Sequence, residues 1–394
     1  MIDLRTRLDV AAALPEDGES GALAGRVWLP AAEGPAVVAV REGGVFDVTR
    51  SFATMRDLCE RADPAAALRA AGGPRLGAFA DILANAAPDS RDASKPWLLA
   101  PIDLQAVKAA GVTFAVSMLE RVIEERARGD LERAAGIRAE MTALIGDDLS
   151  KLVPGSPEAA RLKAHLIEIG AWSQYLEVGI GPDAEIFTKA QPLSAVGTGM
   201  DAGLHPISTW NNPEPEAVIV VAPDGRIVGA SLGNDVNLRD VEGRSALLLS
   251  KAKDNNASTA IGPLIRFFDA SFSLDDVRRA EVRLTVEGED GFVLEGSSSI
   301  ARISRDPADL ARQLMGAHHQ YPDGAVLFLG TMFAPIADRD APGKGFTHKL
   351  GDVVSISTPK LGRLVNRMKL STQCPPWTFG AAALMRNLAR RGLL

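Results

Sequence analysis

The sequence predicts an α+β protein that has a coiled mixed β-roll as its larger domain and a smaller N-terminal α+β domain. Residues 25–50 alternate short apolar runs with Gly, Pro and acidic turns, which is typical of a small antiparallel sheet. A polar, proline-bearing stretch at 86–96 then marks a boundary. From 186 to 357, short Val- and Ile-rich runs return between Gly, Pro, Asn and Asp, which suits a mixed sheet that coils on itself.

The same pattern sets the predicted domain limits. We expect the N-terminal domain to cover 1–95 and the β-roll domain to cover 96–394. Within the second domain, apolar residues recur at helical spacing opposite a run of Glu and Arg, so we expect a helical segment over 104–172. The Glu and Arg run is most simply the solvated face of that segment.

Composition excludes several classes of partner. The chain has 394 residues and a formal net charge of −7, which argues against nucleic acid and anionic membranes as main partners. Its two cysteines, Cys59 and Cys374, have no spacing typical of a zinc knuckle or a disulfide framework. No apolar leader opens the sequence and no apolar run has the length of a membrane span, so we expect a cytoplasmic protein.

Three carboxylates occur around one predicted β-hairpin. Asp224-Gly225 lies between two β-rich runs and predicts a two-residue turn. If the strands pair outward from that turn, Glu214 and Asp235 fall directly opposite each other. Glu214 and Glu216 are two residues apart and therefore share a face of their strand. The hairpin thus predicts that all three carboxylates converge on one patch.

Clustered carboxylates repel one another unless a positive charge lies among them. Oxygen ligands with open positions for water or substrate suit Mg²⁺, and Mn²⁺ or Ca²⁺ are possible substitutes. We therefore interpret Glu214, Glu216 and Asp235 as ligands of one divalent cation. The alternative is that they are solvated carboxylates on an exposed strand, and a bulge in the hairpin would favour it.

These motifs resemble those of the fumarylacetoacetate hydrolase family. That family has a Glu-x-Glu motif followed by a hairpin and an Asn-Asp-Val-Ser-Ala-Arg-Asp motif. The matching segments in this sequence are Glu185–Lys189, Glu214-Pro-Glu216, Gly233–Asp240, Lys251-Ala-Lys-Asp254 with Gly262-Pro263, Leu329-Gly330-Thr331 and Lys349–Val354. The resemblance covers 180–366 and extends weakly to 111–114. It implies a β-roll catalytic domain, a metal held by the two Glu and the Asp, and a homodimer or a dimer of dimers.

The resemblance also bears on the reaction. Members that hydrolyse a carbon–carbon bond carry a His-centred dyad, and no histidine of this sequence falls at the matching place. Ser117, in a Gly-Val-Thr-Phe-x-x-Ser context, is similar to the sugar-acid dehydratases of the family. This implies Mg²⁺-dependent dehydration of 2-keto-3-deoxy-D-xylonate, also called 2-dehydro-3-deoxy-D-arabinonate, to 2,5-dioxopentanoate. Such a step belongs to oxidative pentose degradation.

Candidate roles follow for the remaining matched residues. We expect Lys251 to be the base or the enolate partner, Glu185 to be the acid/base group at the leaving hydroxyl, and Ser117 to orient that hydroxyl or a water. The expected contacts to the substrate carboxylate and hydroxyls are Lys189, Arg239, Gly330 and Thr331.

Two other functions fit the same pattern. One is another metal-dependent reaction of a 2-oxo acid, such as acylpyruvate hydrolysis or oxaloacetate decarboxylation. The second is a non-catalytic 2-oxo acid binding protein of the same fold. Product analysis separates the reactions, because dehydration loses no carbon, and a binding protein shows no turnover.

Overall fold

A computed structural model describes residues 2–114, 152–168, 172–333, 337–340 and 345–394, together with Met118, Gly136, Ala139 and Gly170. In this part of the chain, mixed sheets are combined with helices, which confirms the predicted α+β class. The prediction that the sheets coil as a roll stays a prediction. Among the described residues, no helix is both long and apolar enough to cross a bilayer.

The larger sheet contains eleven strands in the described residues. Its order is β4-β3-β2-β1-β11-β10-β9-β14-β6-β7, and β5 pairs with β1 outside this path. The pairing of β14 with β6 is parallel, and the other pairings are antiparallel. The strands are β1 (Leu23–Leu29), β2 (Gly34–Arg41), β3 (Gly44–Asp47), β4 (Arg75–Gly77), β5 (Trp97–Leu99), β6 (Ala106–Gly111), β7 (Glu185–Ala190), β9 (Pro215–Val221), β10 (Ile227–Asp235), β11 (Thr259–Phe267) and β14 (Ala325–Phe328).

The smaller sheet has five strands in the same described residues, in the order β13-β12-β15-β16-β8. Only its edge strand β8 runs parallel to its neighbour, β16. The strands are β8 (Asp201–Leu204), β12 (Glu281–Glu287), β13 (Val293–Ser299), β15 (Val353–Thr358) and β16 (Gly362–Leu370).

The helices of the described residues are short and surround the sheets. Several begin at residues that cap their first turn, such as Thr54, whose side chain accepts a hydrogen bond from the Asp57 amide in a capping box. The helices are α1 (Val10–Ala13), α2 (Met55–Cys59), α3 (Pro64–Ala70), α4 (Phe79–Ala84), α5 (Pro157–Glu168), α6 (Gln174–Ile180), α7 (Arg239–Glu242), α8 (Leu249–Lys253), α9 (Leu274–Arg278), α10 (Pro307–Leu314) and α11 (Ala381–Arg390).

Strand β9 lies at the centre of the larger sheet and is buried on both faces. Its alternate residues belong to two different cores, because successive side chains of a strand point to opposite faces. Ile219 packs in a core shared with Leu284 and Ile356 of the smaller sheet. Val220 packs in a second core with Leu58 of α2. The smaller sheet and helix α2 thus lie on opposite faces of the larger sheet.

The N-terminal strands continue the larger sheet. In strand β1, Leu23 pairs with Arg266 of β11 and Ala24 pairs with Ile265. The later residues of β1 pair with β5. A limit at residue 95 would therefore cut between strands that are hydrogen-bonded to each other. The division into 1–95 and 96–394 stays a prediction. The helical segment expected over 104–172 is wrong at its start, because Ala106–Gly111 form strand β6, and most of its middle lies outside the described residues.

The hairpin of β9 and β10 has the predicted register, but its turn differs from the predicted one. The predicted two-residue turn is wrong: the Ala222 amide donates to the Arg226 carbonyl at 2.8 Å, which leaves a three-residue loop that ends at Gly225 with φ 86°. This loop alone would shift the strands by one residue. A bulge between Ile227 and Gly229 restores the expected pairing, so Glu216 lies opposite Gly233.

Candidate metal centre and cavity

The site forms where several strands of the larger sheet end at the same edge. Strands β10, β9, β14, β6 and β7 are consecutive neighbours in the sheet. Residues at or beside the ends of all five strands line one cavity of about 100 Å³, namely Asp235, Glu214, Glu216, Gly330, Thr331, Ala110, Gly111, Val112, Glu185 and Phe187. The sheet therefore brings together segments that are far apart in the sequence.

Glu214, Glu216 and Asp235 converge as predicted. Each offers a carboxylate oxygen, and these three oxygens lie within 4.8 Å of one another. The Asp235 amide donates to the Glu214 carbonyl at 3.1 Å, so the two residues are directly opposed on the paired strands. Glu216 and Asp235 are each 2% exposed. The three carboxylates could hold one metal ion, and their burial distinguishes them from a solvated strand face.

Burial of this much negative charge is visible in the pKa values of the carboxyl groups. Burial raises the pKa of Glu214 to about 7, with repulsion from Asp235 adding to the rise. Burial and the charges of Asp235 and Glu214 raise the pKa of Glu216 well above its usual range. The Gly330 amide donates to Glu216 Oε2 at 2.6 Å and opposes this rise.

Two buried lysines contact the carboxylates. Lys253 forms an ion pair with Glu214, and its Nζ lies 3.2 Å from Asp235 Oδ2. Burial alone would lower the pKa of Lys253, but the attraction of Asp235 and Glu214 outweighs burial and raises it. Lys189 Nζ lies 3.1 Å from Asp235 Oδ1. Asp235 is therefore held between the amino groups of two lysines.

The lysine expected from the sequence, Lys251, is not at the site. Lys251 is exposed and is not among the residues that line the cavity, whereas Lys253 is 3% exposed and lines it. Both belong to the short helix α8, and residues two apart on a helix point in nearly opposite directions. Only one of them can face the carboxylates, and the motif match selected the wrong one.

Two of the expected substrate contacts also lie elsewhere. Lys189 is fully buried behind Asp235, where its Nζ donates to the carbonyls of Lys253 and Ser258, and it does not line the cavity. The guanidinium of Arg239 lies 4.6 Å from the centre of the Trp210 ring and is likewise not a lining residue. Lys189 therefore supports a metal ligand, and Arg239 stacks on an aromatic side chain beside the site.

The other candidates have mixed outcomes. Glu185, Gly330 and Thr331 line the cavity, as a role in catalysis or substrate binding requires. Ser117 lies outside the described residues. Their roles in the reaction stay predictions.

Tyr175 and Glu242 line the cavity and were missed by the sequence reading. Asn237 Nδ2 donates to Glu214 Oε1 at 3.0 Å and to Glu242 Oε2 at 2.6 Å. Glu242 is thereby linked to a metal ligand through one amide group. Glu242 lies on α7, seven residues after Asp235, and this short separation is the signal in the sequence that could have indicated it.

The donor set suits a hard divalent cation. Three carboxylates from two adjacent strands supply oxygen ligands only, which Mg²⁺ and Mn²⁺ prefer over sulfur or imidazole. Burial raises the pKa of both Glu214 and Glu216, so ionisation of these carboxyl groups inside the protein is costly without a nearby positive charge. A divalent cation among the three carboxylates would supply that charge.

The chain combines mixed sheets and helices with a carboxylate cluster that could hold a metal ion, and part of it matches a known family. Residues 221–369 match the model of the fumarylacetoacetate (FAA) hydrolase C-terminal domain. This segment is therefore similar to a domain of the fumarylacetoacetate hydrolase family, as the motifs predicted. The match includes Asp235 and begins after Glu214 and Glu216.

Two curated relatives are similar in sequence. One is a probable 2-keto-3-deoxyxylonate dehydratase of Haloferax volcanii, 30% identical over 192 residues, which are 49% of this chain and 62% of the relative. The other is a 2-dehydro-3-deoxy-D-arabinonate dehydratase of Saccharolobus solfataricus, 31% identical over 188 residues, which are 47% of this chain and 58% of the relative. The matches thus span about six-tenths of the relatives' length.

Solved structures show the same fold. A 2-keto-3-deoxy-D-arabinonate dehydratase in its apo form superposes with a TM-score of 0.62 at 21% identity, over 88% of this chain and 99% of that chain. A structure of a 2-keto-3-deoxy-D-arabinonate dehydratase complexed with magnesium and 2,5-dioxopentanoate gives a TM-score of 0.61 at 21% identity with the same coverage. A fumarylacetoacetate hydrolase from Exiguobacterium antarcticum gives 0.52 at 17% identity, over 89% of this chain and 99% of that chain.

Proposed function

We propose that this protein is a Mg²⁺-dependent hydro-lyase that dehydrates 2-keto-3-deoxy-D-xylonate to 2,5-dioxopentanoate. The observation that carries the proposal is the convergence of Glu214, Glu216 and Asp235 beside Lys253, in a cavity that also holds Glu185. The names of the curated relatives and of the magnesium-bound structural neighbour support this substrate over other 2-oxo acids.

The three carboxylates would hold the cation, and the neighbouring residues supply the rest of the chemistry. A bound Mg²⁺ would act as a Lewis acid toward the carboxylate and 2-oxo group of the substrate. Lys253 is protonated in the metal-free site, because the carboxylates raise its pKa. It is therefore suited to donate a hydrogen bond to the oxygen that gains negative charge when the C3 proton leaves. This assignment replaces the base role expected of Lys251.

Elimination of water also needs a group that handles protons at C3 and C4. Glu185 is the candidate, since its carboxyl group lines the cavity and is not part of the carboxylate triad. A carboxylate at this place accepts the C3 proton and returns a proton to the departing C4 hydroxyl, which leaves as water. The unsaturated 2-oxo acid then moves a proton from C5 to C3, which gives an enol with a double bond between C4 and C5. The hydroxyl proton of this enol moves to C4, which gives the semialdehyde.

The test is a direct product analysis. Purified protein is incubated with Mg²⁺ and 2-keto-3-deoxy-D-xylonate, and 2,5-dioxopentanoate is measured by liquid chromatography and mass spectrometry. The proposal predicts one semialdehyde for each substrate consumed and no loss of carbon. Pyruvate or carbon dioxide as a product would favour a hydrolase or a decarboxylase, and absence of turnover with Mg²⁺ bound would favour a binding protein.

A further inference from the structure

The carboxyl group of Glu185 occupies the space in which residue 111 would carry a side chain. Gly111 ends strand β6 and is paired with Glu185, which begins β7. A Cβ atom added to Gly111 would lie 2.0 Å from Glu185 Oε2 and 2.7 Å from its Cδ. Both distances are far below van der Waals contact. Any side chain at 111 would therefore displace the Glu185 carboxyl group.

The backbone gives no other reason for glycine at this position. Gly111 does not have a positive φ, so an L-residue can adopt its backbone conformation without strain. Gly330, which also lines the cavity, differs because its φ is 85°. Among the described residues, the three atoms nearest to an added Cβ all belong to Glu185. The substitution is thus a purely steric probe of the Glu185 position.

The position matters because of the strand order at the cavity. Strand β6 lies between β7, which carries Glu185, and β14, which neighbours the metal-site strand β9. Adjacent strands are about 4.8 Å apart. By lying across Gly111, the Glu185 carboxyl group is one strand spacing nearer to Glu216 than the Glu185 backbone is.

We propose that Gly111 is a positioning residue whose missing side chain lets the Glu185 carboxyl group lie across β6, within reach of a substrate bound at the carboxylate triad. This inference rests on the proposed function, because it assumes that Glu185 transfers protons to that substrate. Gly111 lines the cavity but contributes no functional group, and the effect expected of it on the reaction passes through the position of the Glu185 carboxyl group.

The first test is the variant Gly111→Ala. A misplacement of about 1 Å in a reacting group costs about 100-fold in rate, so we expect kcat to fall by about that factor. The KM and the affinity for Mg²⁺ measured by calorimetry stay near the wild-type values, because the triad is untouched. Gly72→Ala is the matched control: a Cβ there meets nothing within 4 Å and Gly72 has no positive φ, so its activity equals that of the wild type.

The second test does not depend on activity. Gly111→Ala is introduced into the wild type and into a Glu185→Ala background, and the thermal midpoint of each protein is measured. The clash exists only when Glu185 is present, so we expect Gly111→Ala to lower Tm by a few degrees in the wild type and by much less in the Glu185→Ala background. Gly111→Ala combined with Glu185→Asp, whose side chain is one methylene shorter, should recover part of the lost kcat.

The outcomes separate this inference from the proposed function. Equal Tm shifts in both backgrounds overturn the inference, and so does unchanged kcat of Gly111→Ala in an active enzyme. A wild-type protein that turns over no 2-oxo acid, but shows the background-dependent Tm shift, refutes the proposed function and the positioning role while confirming the packing of Glu185 on Gly111.

Discussion

Replacement of the buried lysine at the carboxylates tests the site with an internal control two residues away. Lys253→Met keeps the length of the side chain and removes its charge, whereas Lys251→Met makes the same change at an exposed position of the same helix. We expect the first variant to lose activity and stability and the second to lose neither. The sequence motif alone predicts the reverse order.

The size of the effect follows from the ion pair. Lys253 Nζ lies 3.2 Å from Asp235 Oδ2. At an effective dielectric constant of about 20, this distance corresponds to an attraction of about 5 kcal/mol. The cost of burying both charges offsets part of this attraction, but removing one partner leaves the other charge buried. We therefore expect metal-free Lys253→Met to lose about 3–5 kcal/mol of unfolding free energy.

The activity loss follows from the proposed donor role. Loss of one hydrogen-bond donor to a developing oxyanion costs about 100- to 1000-fold in kcat. The assays are semialdehyde formation under saturating Mg²⁺ and urea unfolding of the metal-free protein. The reasoning is refuted if Lys253→Met retains kcat within a few-fold of the wild type, or if Lys251→Met is impaired to the same degree.

Other variants and conditions test the remaining parts of the site. Glu216→Gln should lower Mg²⁺ affinity at least tenfold by calorimetry, because it removes a charged ligand, with a folded circular dichroism spectrum as its control. Protons compete with the cation for Glu214, whose pKa is about 7, so Mg²⁺ affinity should rise as the pH increases from 6 to 8; a flat profile over this range would contradict the shift. The same raised pKa makes the metal-free protein less stable as the pH rises from 4.5 toward 7, and pH-dependent urea unfolding should show this slope. The truncated chain 96–394 should be insoluble, because loss of β1 exposes an edge of β11, and a soluble, folded fragment would support the predicted domain limit. Light scattering should give the mass of a homodimer or a dimer of dimers, and a monomer would refute that proposal.

The carboxylate triad could be predicted from the sequence because its geometry is local. Glu214, Glu216 and Asp235 belong to one hairpin, and the pleat fixes which side chains share a face. The loop at Gly225 and the bulge after Ile227 could not be predicted, but their register shifts cancel. The correct position of the ligands therefore depended on two compensating irregularities that the pattern did not contain.

The residues around the triad could not be predicted with the same accuracy, because they depend on non-local packing. Lys251 and Lys253 both fit a lysine motif, and only the docking of a five-residue helix decides which one is buried. Tyr175 and Glu242 reach the cavity from helices whose placement no local pattern fixes. The pairing of β1 with β11 joins residues more than two hundred positions apart, which no hairpin rule anticipates.

The most direct measurement is anomalous diffraction from crystals of the wild-type protein grown with Mn²⁺. We expect one strong anomalous peak bounded by carboxylate oxygens of Glu214, Glu216 and Asp235, with Lys253 displaced from at least one of them. A peak at another place, or no peak at a Mn²⁺ concentration that saturates activity, would contradict the claim that this hairpin holds the metal.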